Sequence, residues 1–170
     1  MSKHSLNLVE RLAIFLASVG GSGYAPKASG TAGTLVSVPV FMFAIAPYPV
    51  PIRIGVAVAV FLIGVWASYV AERVWDEPDS SKIVIDEMAG YFITMIPFSA
   101  HFGPVALGFG FFRLFDIVKP WPCNWLDKHV HGGWGVMLDD GVAGLYAMAA
   151  LAGTDALLAG NGIAFFGLGA

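Results

Sequence analysis

Charged residues in this chain are confined to short segments that alternate with long apolar stretches. Residues 28–52, 54–71 and 88–112 contain no charged side chain. Three polar segments interrupt this pattern: residues 20–34 (GGSGYAPKASGTAGT), 80–90 (SSKIVIDEMAG) and 113–141 (RLFDIVKPWPCNWLDKHVHGGWGVMLDDG). Burying a carboxylate beside apolar helices costs free energy. The positions of these acids therefore call for a functional explanation.

The spacing of the apolar residues predicts helices. Residues 5–19 carry Leu8, Leu12 and Phe15 at helical spacing with polar residues opposite, which is typical of an amphipathic helix lying on a surface. Residues 35–46 predict a short helix kinked at Pro39, because a full membrane span needs about 20 residues. Residues 54–71 predict a cleaner span.

Proline and glycine divide the second half of the chain. Pro97 and the Gly103-Pro104 pair split residues 88–112 into two shorter helices, and residues 141–158 form a last helix rich in Ala and Gly. We therefore predict an all-α fold. It is a compact helical bundle embedded in the membrane, with about four to five apolar helices plus an N-terminal amphipathic helix, in one domain over residues 1–170.

Composition supports a membrane protein. Only 12% of the 170 residues are charged and 57% are hydrophobic, whereas a soluble domain has about 25% charged residues. The net charge of −3 argues against nucleic acid as a partner. The single cysteine, Cys123, excludes an internal disulfide and a zinc site made of cysteines alone.

Counting the predicted crossings brings the three polar segments to one side of the membrane. Eight of the nine Lys and Arg residues fall on that side, and Arg53 alone falls on the other. Positively charged residues favour the cytoplasm, so we expect this side to be cytoplasmic.

Two acid pairs are candidates for metal or proton chemistry. Asp86-Glu87 opens a predicted helix, where adjacent side chains point about 100° apart, so we expect the two not to bind one ion in a simple way. Helix capping by Asp86 is the alternative. Asp139 and Asp140 would repel one another unless a cation or a cap relieves them, and Mg²⁺ prefers such carboxylates. Capping of the last helix by Asp139 is again the alternative.

Phosphate binding is suggested by two further segments. Arg113, Asp116 and either Lys119 or Pro120 share one helix face, so the two cations could hold phosphate oxygens while Asp116 holds a metal ion. An ion pair within the helix would explain the same spacing. The glycine-rich segment offers an anion cradle with Lys27, Ser29, Thr31 and Thr34, although a plain connector is also compatible with it. A zinc site at His129, His131 and Cys123 lacks a convincing further ligand.

Four motifs in order resemble the phosphatidylglycerophosphatase A family. They are Pro-x-x-Ser-Gly-Thr-x-Gly from Pro26 to Gly33, then residues 85–90 (IDEMAG), 112–122 (FRLFDIVKPWP) and 132–144 (GGWGVMLDDGVAG). The resemblance implies an all-α, Mg²⁺-dependent phosphatase of the bacterial cytoplasmic (inner) membrane, with its active site facing the cytoplasm. It would hydrolyse the phospholipid phosphatidylglycerophosphate to phosphatidylglycerol and phosphate.

The resemblance, taken with the local chemistry, gives the candidate residues. The catalytic candidates are Asp86, Glu87, Asp116 and Asp140. The candidate metal ligands are Glu87, Asp116, Asp139 and Asp140. The candidate substrate-binding residues are Lys27, Ser29, Thr31, Thr34, Arg113 and Lys119. In this mechanism Mg²⁺ bridges carboxylates and the terminal phosphate, and Glu87 or Asp140 orients the attacking water.

Two other functions remain alternatives. A CDP-alcohol phosphotransferase would need Ala-Arg in the positions after Asp140-Gly141, where this chain has Val142, Ala143 and Gly144. A small membrane transporter or channel would place its acids in the middle of helices, whereas here we expect them at helix ends. The pattern predicts no oligomeric state.

Overall fold

The computed structural model describes residues 6–160, and within that range the chain is all-helical with seven α-helices. They are α1 (Leu8–Ala17), α2 (Ser29–Val40), α3 (Val50–Trp75), α4 (Ile85–Met95), α5 (Phe102–Val118), α6 (Cys123–His129) and α7 (Gly132–Gly160). The predicted all-α bundle is confirmed. The first residue of the predicted amphipathic helix, Ser5, lies outside the described residues.

Local sequence explains where these helices begin and break. Asn7 and Glu10 form a reciprocal capping box at the start of α1, which satisfies backbone N–H groups that lack a partner within the helix. Pro39 removes one backbone donor within α2, and the chain continues directly into a π-helical stretch over Phe41–Ile45. The predicted break near Pro97 is present, since α4 ends at Met95 and α5 begins at Phe102.

Helix α4 lies at the centre of the bundle and contacts α2, α3, α5 and α7. Glycines allow the α4–α7 contact to be close, because a Cβ on Gly144 would lie 2.4 Å from the carbonyl oxygen of Gly90. The Thr94 hydroxyl donates to the carbonyl oxygens of Gly90 and Gly144 at 2.9 and 3.2 Å. Asp140 is thereby held against the first turns of α4, since it lies one turn before Gly144.

Arg53 marks the end of the bundle opposite the acids. Its guanidinium donates to the carbonyl oxygens of Ala46, Ile96 and Phe98 at 2.6, 3.2 and 2.6 Å. These groups follow the C-terminal ends of the π-helical stretch and of α4, whereas Asp86 and Glu87 lie in the first turn of α4. Arg53 is therefore at the other end of α4 from the acids, as the crossing count predicted.

Two predicted boundaries differ from the structure. Helix α7 begins at Gly132 rather than at residue 141, and α3 extends beyond residues 54–71 to Val50–Trp75. By length and composition α3 and α7 are the two helices of the described chain that could cross a membrane. The expected number of four to five membrane-embedded apolar helices stays a prediction.

Candidate active site

Helices α4 and α7 bring three carboxylates together. Asp86, Glu87 and Asp140 each offer one oxygen, and these oxygens lie within 4.8 Å of one another. Although Asp86 and Glu87 are adjacent on the helix and were not expected to bind one ion in a simple way, their oxygens lie close together, and binding of one ion by both stays a prediction. Distant acidic segments thus converge at one end of the bundle, as predicted.

Asp139 and Asp140 lie within α7, not at its start. The helix begins at Gly132, so both acids are about two turns inside it, and capping does not explain them. They are 6% and 3% exposed. The two side chains serve different partners, because Asp140 faces Asp86 and Glu87, whereas Asp139 accepts a hydrogen bond from the Lys119 ammonium group at 2.7 Å.

Helix α5 contributes Arg113 and Asp116. The Arg113 guanidinium donates a short hydrogen bond to Asp116 and lies 3.8 Å from the Glu87 carboxylate. Asp116 also lies close to Asp140. The predicted ion pair between Arg113 and Asp116 is therefore present, and it belongs to the acidic cluster rather than to an isolated helix surface.

The first turn of α2 completes this side of the cluster. A Cβ on Gly30 would lie 2.0 Å from Glu87 Oε1 and 3.0 Å from Arg113 Nη1. Any larger residue at position 30 would therefore displace the Glu87 carboxylate. Sequence spacing does not predict this contact between α2 and α4, because it depends on how the two helices pack.

The Lys119 side chain does not lie on the α5 face that the sequence spacing predicted for it. Its backbone is left-handed (φ 45°) at the C-terminal cap of α5, and its ammonium group reaches both Asp127 and Asp139. Burial lowers the pKa of Lys119, but the hydrogen bonds to these two carboxylates outweigh it and the net shift is upward. Asp127 is a site residue that the sequence analysis missed.

The acids surround a cavity of about 560 Å³. Eight carboxylates line it, and one cation, Lys119, lines it with them; the residues are Glu72, Asp79, Asp86, Glu87, Asp116, Asp127, Asp139 and Asp140. With all its acids ionised, the cavity would carry eight negative charges against the two positive charges of Lys119 and Arg113. The excess among the described residues is six negative charges. In that ionised state, the cavity would repel an anionic substrate unless a cation compensated the excess charge.

Several polar atoms of this cluster have no partner in the described chain. One oxygen each of Asp86, Glu87 and Asp140 is buried without a hydrogen bond, and so is Nε of Arg113. Burial raises the pKa of Glu87 to about 8, and repulsion from Asp140 and Asp116 acts in the same direction. The hydrogen bond with Asp86 and the positive charge of Arg113 lower this pKa and offset part of the rise. Buried polar atoms are normally paired, so this cluster is a candidate cation site.

The remaining predicted site residues are more dispersed. Ser29 lines the cavity, whereas Lys27 is exposed and Thr31 half-buried, and neither lines the cavity within residues 6–160. The Thr34 hydroxyl is buried and donates to the Gly30 carbonyl at 2.8 Å. The proposed roles of these residues stay predictions.

The histidine–cysteine segment forms no metal cluster among the described residues. His129 stacks on Trp125, and its Nδ1 lies 2.8 Å from the Trp125 carbonyl oxygen. Cys123 is buried, and His131 lies at the cavity wall. The zinc alternative therefore gains no support from this structure.

Comparison with known proteins identifies relatives over most of the chain. The family model described as Phosphatidylglycerophosphatase A matches residues 15–155. The phosphatidylglycerophosphatase A of Escherichia coli K12 is 37% identical over 138 residues, which is 80% of each chain. That of Haemophilus influenzae Rd is 33% identical over 138 residues, covering 79% of this chain and 84% of the relative.

A third relative has a different name. It is "Putative phosphatidylinositol-3-phosphatase" of Bacteroides thetaiotaomicron, 33% identical over 148 residues that cover 83% of this chain and 92% of the relative. No solved structure matches the chain.

Proposed function

This chain belongs to the phosphatidylglycerophosphatase A family, and we propose that it works through Mg²⁺ held by Asp86, Glu87 and Asp140. The enzyme is a phosphatase that hydrolyses phosphatidylglycerophosphate to phosphatidylglycerol and phosphate. The observation that carries the metal proposal is the group of three buried carboxylate oxygens without partners in a cavity with excess negative charge.

The donor set fits Mg²⁺. All three clustered side chains offer carboxylate oxygens, which this hard cation prefers over nitrogen or sulfur. Bound there, Mg²⁺ would supply positive charge to the phosphate oxygens and to the departing glycerol oxygen. Asp116 and Asp139 were candidate ligands from the sequence, but their contacts with Arg113 and Lys119 favour a supporting role.

The two partly buried cations of the site are suited to binding the phosphate group. Lys119 is held between Asp127 and Asp139 at the cavity wall, which fixes its ammonium group in place. Arg113 Nη1 lies 3.8 Å from the Glu87 carboxylate, so the guanidinium brings positive charge next to the proposed metal site and would attract a phosphate oxygen there. Ser29, the first residue of α2, also lines the cavity and adds a hydroxyl donor at a helix N-terminus.

A carboxylate of the same cluster would orient the attacking water. Glu87 is the first candidate, because one of its oxygens is buried without a partner and the residue belongs to the group that would surround the ion. Asp140 is the alternative, because it lies within the same group of oxygens. The attack displaces the glycerol oxygen, which leaves phosphatidylglycerol and inorganic phosphate.

The enzyme would act at the bacterial inner membrane with the cavity facing the cytoplasm. Helices α3 and α7 are long and apolar enough to cross a bilayer. The crossing count places most of the cationic residues on the same side of the membrane as the cavity. Positively charged residues favour the cytoplasm, so this side would be cytoplasmic. The acids of α7 lie within a helix, as those of a transporter would, but family membership identifies an enzyme.

Phosphate release from phosphatidylglycerophosphate in mixed micelles tests this proposal. We expect activity with Mg²⁺, none with EDTA, and a loss of at least about 100-fold in Asp140→Asn. Asp155→Asn on the same helix is the matched control and should stay near wild type. Full activity in EDTA or in Asp140→Asn would refute the metal assignment. Phosphatidylinositol 3-phosphate in a parallel assay tests the headgroup in the Bacteroides relative's name.

A further inference from the structure

An apolar groove runs along the outside of the bundle between α3 and α7. It has a volume of about 350 Å³, and its wall is entirely apolar. Phe61 lies at its centre, close enough that a Cβ on Gly141 would be 3.0 Å from the Phe61 ring. Exposed Val58 and Leu145 form its two rims. Nothing in the hydrolytic chemistry accounts for this groove.

The groove is connected to the acidic cavity through a third depression. His131 and Gly132 line both the cavity and this depression, and Leu62 lines both the depression and the groove. The three spaces therefore adjoin one another in a row over the α3–α7 surface. This row begins among carboxylates and ends among aliphatic side chains.

The composition of the row changes in the order that a phospholipid requires. Its middle section carries Trp66, Tyr69 and Trp134, all exposed aromatic residues of the kind that favour the level of lipid headgroups. From Trp66 to Ile54 the α3 axis advances about 18 Å, at about 1.5 Å per residue. One leaflet of a bilayer has about 15 Å of hydrocarbon, so the lengths agree.

We propose that the groove between α3 and α7 holds one acyl chain of the phospholipid substrate. This proposal rests on the proposed function, since it assumes that the phosphate lies in the acidic cavity. The glycerol backbone would then pass His131 and Gly132, and the chain would follow α3 toward Ile54. Phe61, Leu62 and Leu145 would act as specificity residues for the length and shape of that chain.

A second copy of this protein is a less suitable occupant. A dimer contact would not need to adjoin the acidic cavity, whereas this groove adjoins it through the residues that the three spaces share. The second acyl chain of the substrate would remain among the surrounding lipids. The proposal therefore commits to one chain in one groove.

Filling the groove provides the first test. Leu145→Trp places bulk at its rim, and Leu114→Trp on α5 is the matched control, because both leucines are 51% exposed. For phosphatidylglycerophosphate with 16-carbon chains, we expect Leu145→Trp to lower kcat/KM about tenfold, which corresponds to displacing about two methylene groups. For dibutyryl phosphatidylglycerophosphate, which has short acyl chains, the loss of kcat/KM in Leu145→Trp should stay within about twofold. The loss in Leu114→Trp should stay within about twofold for both substrates.

A second measurement keeps the test independent of folding and turnover. Wild-type protein is irradiated with a phosphatidylglycerophosphate analogue that carries a diazirine in the middle of one acyl chain, and the labelled peptides are identified by mass spectrometry. We expect label on α3 and α7 near Phe61, Leu62 and Leu145. If Leu145→Trp proves unstable in thermal melting, Val58→Trp fills the groove from the α3 side.

Two results would overturn the groove proposal. One is an equal loss in Leu145→Trp and Leu114→Trp with the long-chain substrate; the other is label that concentrates on α5. A wild-type protein that hydrolyses neither substrate would instead count against the proposed function, and the labelling would then decide the groove alone.

Discussion

Substituting Gly30 by alanine tests how tightly the acidic cluster is built. A Cβ at this position would lie 2.0 Å from Glu87 Oε1, and real Cβ contacts are essentially never shorter than 3.0 Å. The Glu87 carboxylate must therefore move by at least about 1 Å. A displacement of that size at a catalytic group can reduce the rate about 100-fold.

Protein stability should respond differently from activity. The contact at Gly30 is with the end of a flexible side chain, so Glu87 can move without disturbing the helix backbone. Replacing glycine by alanine within a helix also favours folding by about 0.5–1 kcal/mol. We expect Gly30→Ala to melt at or slightly above the wild-type temperature while kcat/KM falls about 100-fold.

The assay combines phosphate release at several Mg²⁺ concentrations with thermal melting. Gly153→Ala is the matched control, because a Cβ there meets no atom within 4 Å. Displacement of Glu87 should also raise the Mg²⁺ concentration needed for half-maximal activity. Wild-type kcat/KM and wild-type Mg²⁺ dependence in Gly30→Ala would show that Glu87 does not bind the metal.

Three further predictions follow from the same geometry. Mg²⁺ at 100 times its Kd should stabilise the protein by about 2.7 kcal/mol, which raises Tm by roughly 5–10 °C over EDTA-treated protein. An unchanged Tm would contradict the metal site. Asp127→Asn should raise KM about fivefold with little change in kcat, because Lys119 is only partly buried and keeps its ion pair with Asp139. Asp76→Asn is the control. Gly144→Ala should cost about 1–3 kcal/mol in denaturant unfolding, because its Cβ would lie 2.4 Å from the Gly90 carbonyl oxygen; unaltered unfolding would refute the close α4–α7 contact.

The sequence predicted the helices and the convergence of the acids better than it predicted which side chains contact one another. Charge-free stretches ended by proline gave the helical bundle, and the crossing count put Arg53 at the end opposite Asp86. Both results depend on periodicity and chain direction, which are local properties. They do not depend on which side chain contacts which.

Tertiary contacts account for what the sequence could not predict. Asp139 and Asp140 were expected before the last helix, but Gly133 and Gly135 allow α7 to begin earlier, packed against the carbonyls of Val65 and Val130. Lys119 was expected on the Arg113 face of α5, yet its left-handed backbone turns it toward Asp127. Such changes of direction depend on a single backbone angle or a missing Cβ, and hydrophobic spacing carries no information about them.

The position of Asp140 inside α7 determines how a lipid must approach. Asp140 lies eight positions beyond Gly132, where the helix starts, which is about 12 Å along the axis. In the proposed membrane-embedded arrangement, the terminal phosphate of the lipid would have to reach that far along α7, and water would have to follow it. Turnover should consequently be faster in vesicles of short-chain lipids than in thick ones, so the membrane itself becomes a variable of the reaction.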